Sequence, residues 1–238
     1  ISILKKFIIS IDQGTTSSRV VLFDTKGNIK FISQYEFKQY FPKNGWVEHN
    51  PNEIWSTTLK ALKQVIKKAS KMKGIILTIG ITNQRETTIL WNKKNGKPIY
   101  NAIVWQDRRT QEYCKFLKSK NYVNSFRKKT GLFIDPYFSA TKIKWILDNV
   151  KVSKKLLKSD NLLFGTVDTF LIWKLTQGKQ HLTEASNASR TMLFNINNNK
   201  WDKEILRRLK IPMKILPEVK NSADNFGKTD KKIVGKEI

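Results

Sequence analysis

The chain has 238 residues, of which 39% are hydrophobic and 11% aromatic, and its formal net charge is +26. This content excludes a disordered chain, the single Cys114 excludes an internal disulfide framework, and no apolar run is long enough to span a membrane. The lysines are spread over nearly every segment without interleaved aromatic residues, which favours a solvated surface over a dedicated nucleic-acid site. We therefore expect a cytoplasmic protein with no specific nucleic-acid partner and no membrane insertion.

The first predicted elements are three short strands joined by tight turns. They cover residues 7–11, 19–24 and 29–37, and the first of them ends at Asp12. Glycine and hydroxyl-bearing residues between the strands are typical of turns. The sequence therefore predicts an antiparallel meander.

A helix and an apolar strand are predicted next. Asn50 is a candidate N-cap, Pro51 takes the first helical position and Glu53 takes the capping-box position. The helix is expected to end near Ala69. The apolar run at 74–82 then predicts a buried strand.

Further along the chain, helices alternate with short strands. Strands are predicted at 87–91, 99–105 and 162–166, and helices at 108–119, 122–129, 139–149 and 201–209. Asp107 and Asp168 are candidate N-caps, the second for a helix that ends at Leu175. This order predicts an α/β domain with a mixed sheet flanked by helices.

The turn at residues 12–19, called the phosphate turn below, joins the first two predicted strands. Gly14 permits a tight turn and a close approach of the backbone to a ligand. Backbone N–H groups and three hydroxyls can donate to phosphate oxygens. These hydroxyls belong to Thr15, Thr16 and Ser17. Arg19 can neutralise phosphate charge and Asp12 can hold Mg²⁺ through waters, although an ordinary hairpin explains the segment equally well when it is taken alone.

Four residues outside this turn, called the polyol set below, combine hydrogen-bond donors, acceptors and an apolar face. They are Arg85, Glu86, Trp105 and Tyr137. A small polyol requires such a combination, because its hydroxyls both donate and accept while its carbons need apolar contact. Taken singly, these residues are also consistent with a surface ion pair, a core tryptophan and a buried tyrosine.

Several long strings carry further information when they are taken in chain order. They include DQGTTSSR at 12–19, GITNQRETT at 80–88 and DPYFS at 135–139, with others at 45–49, 96–106, 163–169 and 187–195. A family signature at 137–149 requires fixed positions that Ser139, Lys142, Trp145, Asp148 and Asn149 fill. Together these strings resemble the glycerol kinases of the FGGY carbohydrate kinase family.

The resemblance implies an actin/Hsp70/hexokinase-like ATPase fold of the ribonuclease H-like type. It implies that residues 1–238 form the N-terminal domain, the half that binds glycerol and phosphate. By resemblance, ATP or ADP is contacted by Thr15, Thr16, Ser17 and Arg19. Glycerol is held by Arg85, Glu86, Tyr137 and Trp105, the last against its carbons. Asp12 is expected near Mg²⁺.

The implied reaction is the ATP-dependent phosphorylation of glycerol to sn-glycerol 3-phosphate, with ATP and Mg²⁺ as cofactors and a homo-oligomeric full-length enzyme. The general-base aspartate and the C-terminal nucleotide-binding domain are expected beyond Ile238. We therefore expect no general base in this chain and negligible activity from it alone. A kinase for another polyol or sugar, a non-catalytic actin-like binding domain and a basic nucleic-acid binder are the alternatives.

Overall fold

The computed structural model describes residues 4–238. Its strands are β1 (Lys5–Gln13), β2 (Ser17–Asp24), β3 (Ile29–Glu36), β4 (Gln39–Tyr40), β5 (Glu48–His49), β6 (Gly74–Asn83), β7 (Ile89–Asn92), β8 (Ala102–Ile103), β9 (Leu162–Gly165), β10 (Leu182–Glu184), β11 (Phe194–Asn195), β12 (Lys200–Trp201) and β13 (Glu218–Lys220). Its α-helices are α1 (Pro51–Lys71), α2 (Gln111–Ser119), α3 (Val123–Thr130), α4 (Ser139–Asn149), α5 (Lys151–Lys158), α6 (Val167–Leu175), α7 (Ala185–Ala188), α8 (Lys203–Leu209) and α9 (Lys231–Val234). None of the helices in residues 4–238 combines the length and apolar character that crossing a membrane requires.

The main sheet has the strand order β3-β2-β1-β6. β1 and β2 are antiparallel, as are β2 and β3, so the predicted meander is confirmed. β6 joins the sheet parallel to β1, with Gln13 opposite Asn83. Because parallel strands end at the same edge of a sheet, the segments that follow β1 and β6 emerge side by side.

The predicted burial of the 74–82 strand is wrong. No residue of β6 is buried, and Ile75 and Leu77 are among the exposed large hydrophobic residues. Within residues 4–238, β6 pairs only with β1 and forms the edge of the sheet. A continuous apolar run shows that a strand can be covered on both faces but not that a neighbour covers it.

Two hydrophobic clusters hold the elements together. The first packs α1 and α6 against the sheet, with Phe7, Ile11 and Leu62 fully or almost fully buried. The second joins α2, α3, α4, α5 and α8 around Phe126 and Ile143. The antiparallel pair β7–β9 lies between the two clusters and contributes to both.

The N-terminus of α1 is only partly as predicted. Asn50 is the N-cap, since its side chain accepts a hydrogen bond of 2.9 Å from the backbone N–H of Asn52. Glu53 does not close a capping box. Its carboxylate accepts instead from the backbone N–H of Lys38 at 3.0 Å and from the Tyr40 hydroxyl.

Asp107 and Asp168 are not N-caps, contrary to prediction. The N-caps of α2 and α6 are Thr110 and Thr166. Both carboxylates are buried and accept hydrogen bonds from tertiary neighbours, which a local cap pattern does not show. The strand predicted at 99–105 is also shorter than expected, because only β8 pairs within it.

Candidate active site

The phosphate turn is a tight hairpin at the carboxyl end of β1. The Gly14 N–H donates to the Ser17 carbonyl at 2.9 Å. Gly14 lies outside the left-handed region, and a Cβ there would only meet the Ser17 carbonyl oxygen at 3.4 Å, so the turn itself does not require glycine. Thr16 is exposed, while Thr15 and Ser17 are half-buried. Thr16 is therefore open to solvent, where a phosphate can reach its hydroxyl, while the Thr15 and Ser17 hydroxyls accept hydrogen bonds from Trp105 and Gln34.

Asp12 and Arg19 lie opposite each other in the β1–β2 register and form an ion pair. The Arg19 Nε lies 3.1 Å from Asp12 Oδ2, and both side chains are partly exposed. No cluster of three or more metal-ligating side chains occurs in residues 4–238. A single carboxylate suits Mg²⁺, because this ion retains several waters and is usually bound together with substrate phosphates.

Glu86 has an unusual backbone conformation beside the phosphate turn. Its φ is 63°, and the Thr87 N–H donates to the Arg85 carbonyl at 2.7 Å, which makes Glu86 the centre of a γ-turn. Its carboxylate accepts a 2.6 Å hydrogen bond from Arg190 Nε, and its carbonyl accepts from Ser139 Oγ at 2.9 Å. Strain of this kind persists where neighbours fix it, and it concentrates at functional sites.

Trp105 connects the phosphate turn to the rest of the polyol set. Its indole Nε1–H donates to Thr15 Oγ1 at 3.1 Å. Its ring lies 5.5 Å from the Tyr137 ring, centroid to centroid, at an interplanar angle of 58°. The Arg190 guanidinium lies 5.5 Å from the centroid of the Tyr137 ring and also donates to the Glu86 carboxylate. The structure thus connects three members of the polyol set, Trp105, Tyr137 and Glu86, to Thr15 of the phosphate turn.

A buried polar network lies beneath this surface. The Gln84 amide donates to the Gly14 carbonyl at 3.0 Å and lies 3.2 Å from His49 Nδ1. His49 Nε2 is 2.5 Å from Gln39 Oε1, and the Gln39 amide donates to the Thr15 carbonyl at 2.8 Å. Burial lowers the pKa of His49 to about 4, so the imidazole is neutral at pH 7. An amide that donates to Nδ1 places the imidazole proton on Nε2, from which it is donated to Gln39.

A second buried network fixes the segment that carries Trp105. The Arg109 side chain is fully buried and forms ion pairs with Glu48 at 2.7 Å and Asp107 at 2.8 Å. Its guanidinium lies 3.7 Å from the Trp46 centroid and 4.6 Å from that of Trp145. These contacts join the residues after Trp105 to the β5 segment and to α4.

Sequence reasoning missed Gln84, His49, Arg109 and Arg190 as parts of the site. Gln84 and His49 belong to the strings GITNQRETT and GWVEH, and Arg190 to NASRTMLFN, so the resemblance marked their segments without giving their roles. Their partners are distant in sequence, and no local pattern predicts such pairs. Arg190 and Glu86, for example, are 104 residues apart.

A cavity in residues 4–238 adjoins the site rather than containing it. It has a volume of about 710 Å³ and runs along the free edge of β6. Of the polyol set only Arg85 lines it, together with Asp168, Glu184 and Asn187. Burial raises the pKa of Asp168 to about 6, although its carboxylate accepts from the Thr166 and Thr183 hydroxyls. Arg85 is therefore the member of the polyol set that faces this cavity, while the Glu86 side chain is buried.

The fold and the candidate site can be assigned to a known protein family. Residues 7–237 match the N-terminal domain of the FGGY family of carbohydrate kinases. The chain belongs to this family, and the predicted resemblance and fold class are confirmed.

The similar proteins include glycerol kinases. The chain is 53% identical over 235 residues to the glycerol kinase of Petrotoga mobilis and 57% identical over 235 residues to that of a Thermoanaerobacter species. Each match covers 99% of this chain and 47% of the relative, so the chain spans about half the length of these relatives. A crystal structure of Plasmodium falciparum glycerol kinase with ADP superposes with a TM-score of 0.92 at 37% identity, over 97% of this chain and 46% of that one.

Proposed function

We propose that this chain is the glycerol- and phosphate-binding half of an ATP-dependent glycerol kinase. The observation that carries the proposal is the hydrogen bond from Trp105 to Thr15, which joins the polyol set to the phosphate turn. The similarity to glycerol kinases at more than 50% identity supports the choice of substrate. Residues 1–238 would then be the N-terminal domain, and the nucleotide-binding domain would belong to the remainder of a longer protein.

The polyol set has the chemistry to orient glycerol. The Glu86 carboxylate, aligned by Arg190, accepts hydrogen bonds from substrate hydroxyls, while Arg85 donates to hydroxyl lone pairs. Tyr137 adds a further hydroxyl, and the Trp105 ring covers the carbon chain. This arrangement fixes which hydroxyl faces the phosphate turn, and such positioning is a large part of catalysis in phosphoryl transfer.

The phosphate turn has the chemistry to hold the transferred group. Donors for the phosphate oxygens are the hydroxyls of Thr15, Thr16 and Ser17 and the N–H groups of the turn. Arg19 adds positive charge when phosphate competes with Asp12 for its guanidinium. Asp12 would hold Mg²⁺ through waters, and the bound ion would supply neutralisation of the phosphate charge.

The kinase assay and glycerol calorimetry on the purified chain test this proposal together. We assign no general base to this chain, so the purified chain with ATP, Mg²⁺ and glycerol is expected to form no glycerol phosphate above background. Calorimetry and dialysis of the same chain are expected to show that it binds glycerol. Phosphorylation above background would contradict the missing base. Binding of a larger sugar in preference to glycerol would favour another substrate in the same family. Binding of phosphate without any polyol would favour a non-catalytic domain.

We also propose a cytoplasmic and homo-oligomeric full-length enzyme. This part rests on the relationship to the glycerol kinases. Sedimentation of the full-length protein tests the oligomeric state, and a monomer at micromolar concentration would contradict the proposed homo-oligomer.

A further inference from the structure

Lys142 is a fully buried cation in the first turn of α4. Its side chain points back toward the start of the helix, as helical side chains do. The Nζ donates to three consecutive carbonyl oxygens, those of Pro136, Tyr137 at 2.9 Å and Phe138 at 3.4 Å. All three acceptors are uncharged.

This position is unfavourable for a cation on two grounds. A buried charge is costly without a close counter-charge, and three carbonyl oxygens compensate it only in part. The N-terminus of a helix also repels positive charge, and α4 has neither an acidic residue in its first turn nor a side-chain cap. A methionine or leucine would fill the same space without either penalty. What the ammonium adds is a restraint on the three carbonyl groups of residues 136–138, which an apolar side chain cannot provide.

The segment that Lys142 holds is the one that carries Tyr137. The Tyr137 N–H donates to Asp135 Oδ1 at 2.8 Å, and its carbonyl is held by Lys142, so both backbone groups of this residue are fixed. The same helical turn holds Glu86, because Ser139 Oγ donates to the Glu86 carbonyl at 2.9 Å. The first turn of α4 thus binds the backbone carbonyl groups of two members of the polyol set, Tyr137 and Glu86.

We propose that Lys142 is a positioning residue: by binding the carbonyl oxygens of residues 136–138, its ammonium sets the Tyr137 ring against Trp105 so that the hydroxyl of Tyr137 meets a bound polyol. The consequence for binding rests on the proposed function. The consequence for the position of the Tyr137 ring does not.

The protonation of Lys142 gives this proposal a pH dependence. Burial lowers the pKa of Lys142 to about 8. Four nearby groups act in the opposite direction and raise this pKa by favouring the charged amine: Asp107, Cys114, Glu86 and Asp135. Above pH 8 the neutral amine has one N–H fewer and donates weakly, so Tyr137 is released. Because this base has a lowered pKa in the folded state, its contribution to the free energy of unfolding rises between pH 8 and 10.5. Loss of polyol affinity at alkaline pH therefore cannot be ascribed to unfolding caused by Lys142.

The experiment compares Lys142→Met with Lys144→Met in the 238-residue chain. Lys144 lies on the same helix and pairs with Asp148, so its replacement is a matched control. Two quantities are measured at pH 6.5: the nuclear Overhauser effects between the Trp105 and Tyr137 ring protons, and the glycerol Kd by calorimetry. We expect Lys142→Met to lose the ring contacts and raise the Kd by roughly tenfold or more, and Lys144→Met to change neither.

Each outcome decides between the two proposals. Retained ring contacts and an unchanged Kd in Lys142→Met overturn the positioning role. Lost ring contacts in a chain whose wild type binds no glycerol uphold the positioning role and overturn the proposed function. If Lys142→Met does not fold, the wild type is titrated from pH 6.5 to 9.5. Ring contacts that weaken with a midpoint near pH 8 then support the proposal, and ring contacts that persist across this range overturn it.

Discussion

The phosphate turn and the polyol set are neighbours, but they are built in different ways. The turn is made by one hairpin whose paired residues, such as Asp12 and Arg19, are close in sequence. The polyol set comes from three separate segments and is held by contacts between residues as far apart as Glu86 and Arg190. The turn is therefore expected to tolerate substitution. The polyol set depends instead on buried polar groups, and removing a partner of one of these groups lowers the free energy of unfolding.

The largest effect is expected when a buried cation is removed from the network that fixes the segment carrying Trp105. Arg109→Met leaves the buried Glu48 and Asp107 carboxylates without their partner, which should lower the free energy of unfolding by about 3–5 kcal/mol. Urea denaturation measures it. Arg108→Met is the matched control, because Arg108 is the exposed neighbour and its loss should change stability by less than about 0.5 kcal/mol. Equal losses from the two variants would contradict the distinction between buried and exposed charge.

Acid should weaken the fold through its two histidines. Burial lowers the pKa values of His49 and His181 to about 4 in the folded state, below the ordinary 6.5. The unfolded chain therefore binds these protons first, and stability is lost as the pH falls from 6.5 toward 4, by at most about 3 kcal/mol for each histidine.

Single variants sharpen this pH test. Denaturation of His49→Gln and of His181→Gln between pH 4 and 7 should show a flatter pH profile than the wild type. His181→Gln should leave glycerol affinity at pH 7 unchanged, because His181 packs against Trp91 and the Phe164 carbonyl, away from the polar network. A wild-type stability that does not fall below pH 6.5 would show that neither imidazole is buried in its neutral form.

Gln84 tests the link between the two regions. Gln84→Leu removes the amide that connects His49 to the Gly14 carbonyl, and we expect it to lower stability by about 1–3 kcal/mol and to weaken glycerol and nucleotide binding together. Gln34→Leu is its control, since Gln34 is exposed and its side chain donates to the Ser17 hydroxyl rather than to the buried network. Loss of one ligand with full retention of the other would mean that the network does not join the two sites.

The smallest change in stability is expected in the phosphate turn. Arg19→Met breaks a partly exposed ion pair with Asp12, which contributes about 0–1 kcal/mol. The variant should unfold like the wild type but bind tripolyphosphate more weakly at low salt, as measured by calorimetry. Unaltered tripolyphosphate binding would remove Arg19 from the proposed phosphate site.

Local patterns account for what the sequence could predict. The hairpin of β1 and β2 and the Asn50 cap follow from residues that act on their immediate neighbours, and both are present. Asp107 and Asp168 are not N-caps, because each buried carboxylate also binds a residue that is distant in sequence, Val47 for Asp107 and Thr183 for Asp168. The exposure of β6 depends on what lies beside the strand, which its own apolar residues do not encode. The role of Arg190 was out of reach for a similar reason, because its partner Glu86 is 104 residues away.

The indole N–H resonance of Trp105 tests the central claim most directly, because this group belongs to the polyol set and donates to the phosphate turn. The chain has seven tryptophans, and a Trp105→Phe variant identifies the signal. In a chain labelled with ¹⁵N, this resonance should shift on titration with glycerol and shift again, in the presence of glycerol, when tripolyphosphate is added. A Trp105 signal that responds to neither ligand, while other resonances move, would contradict a single cleft wall formed by the two groups.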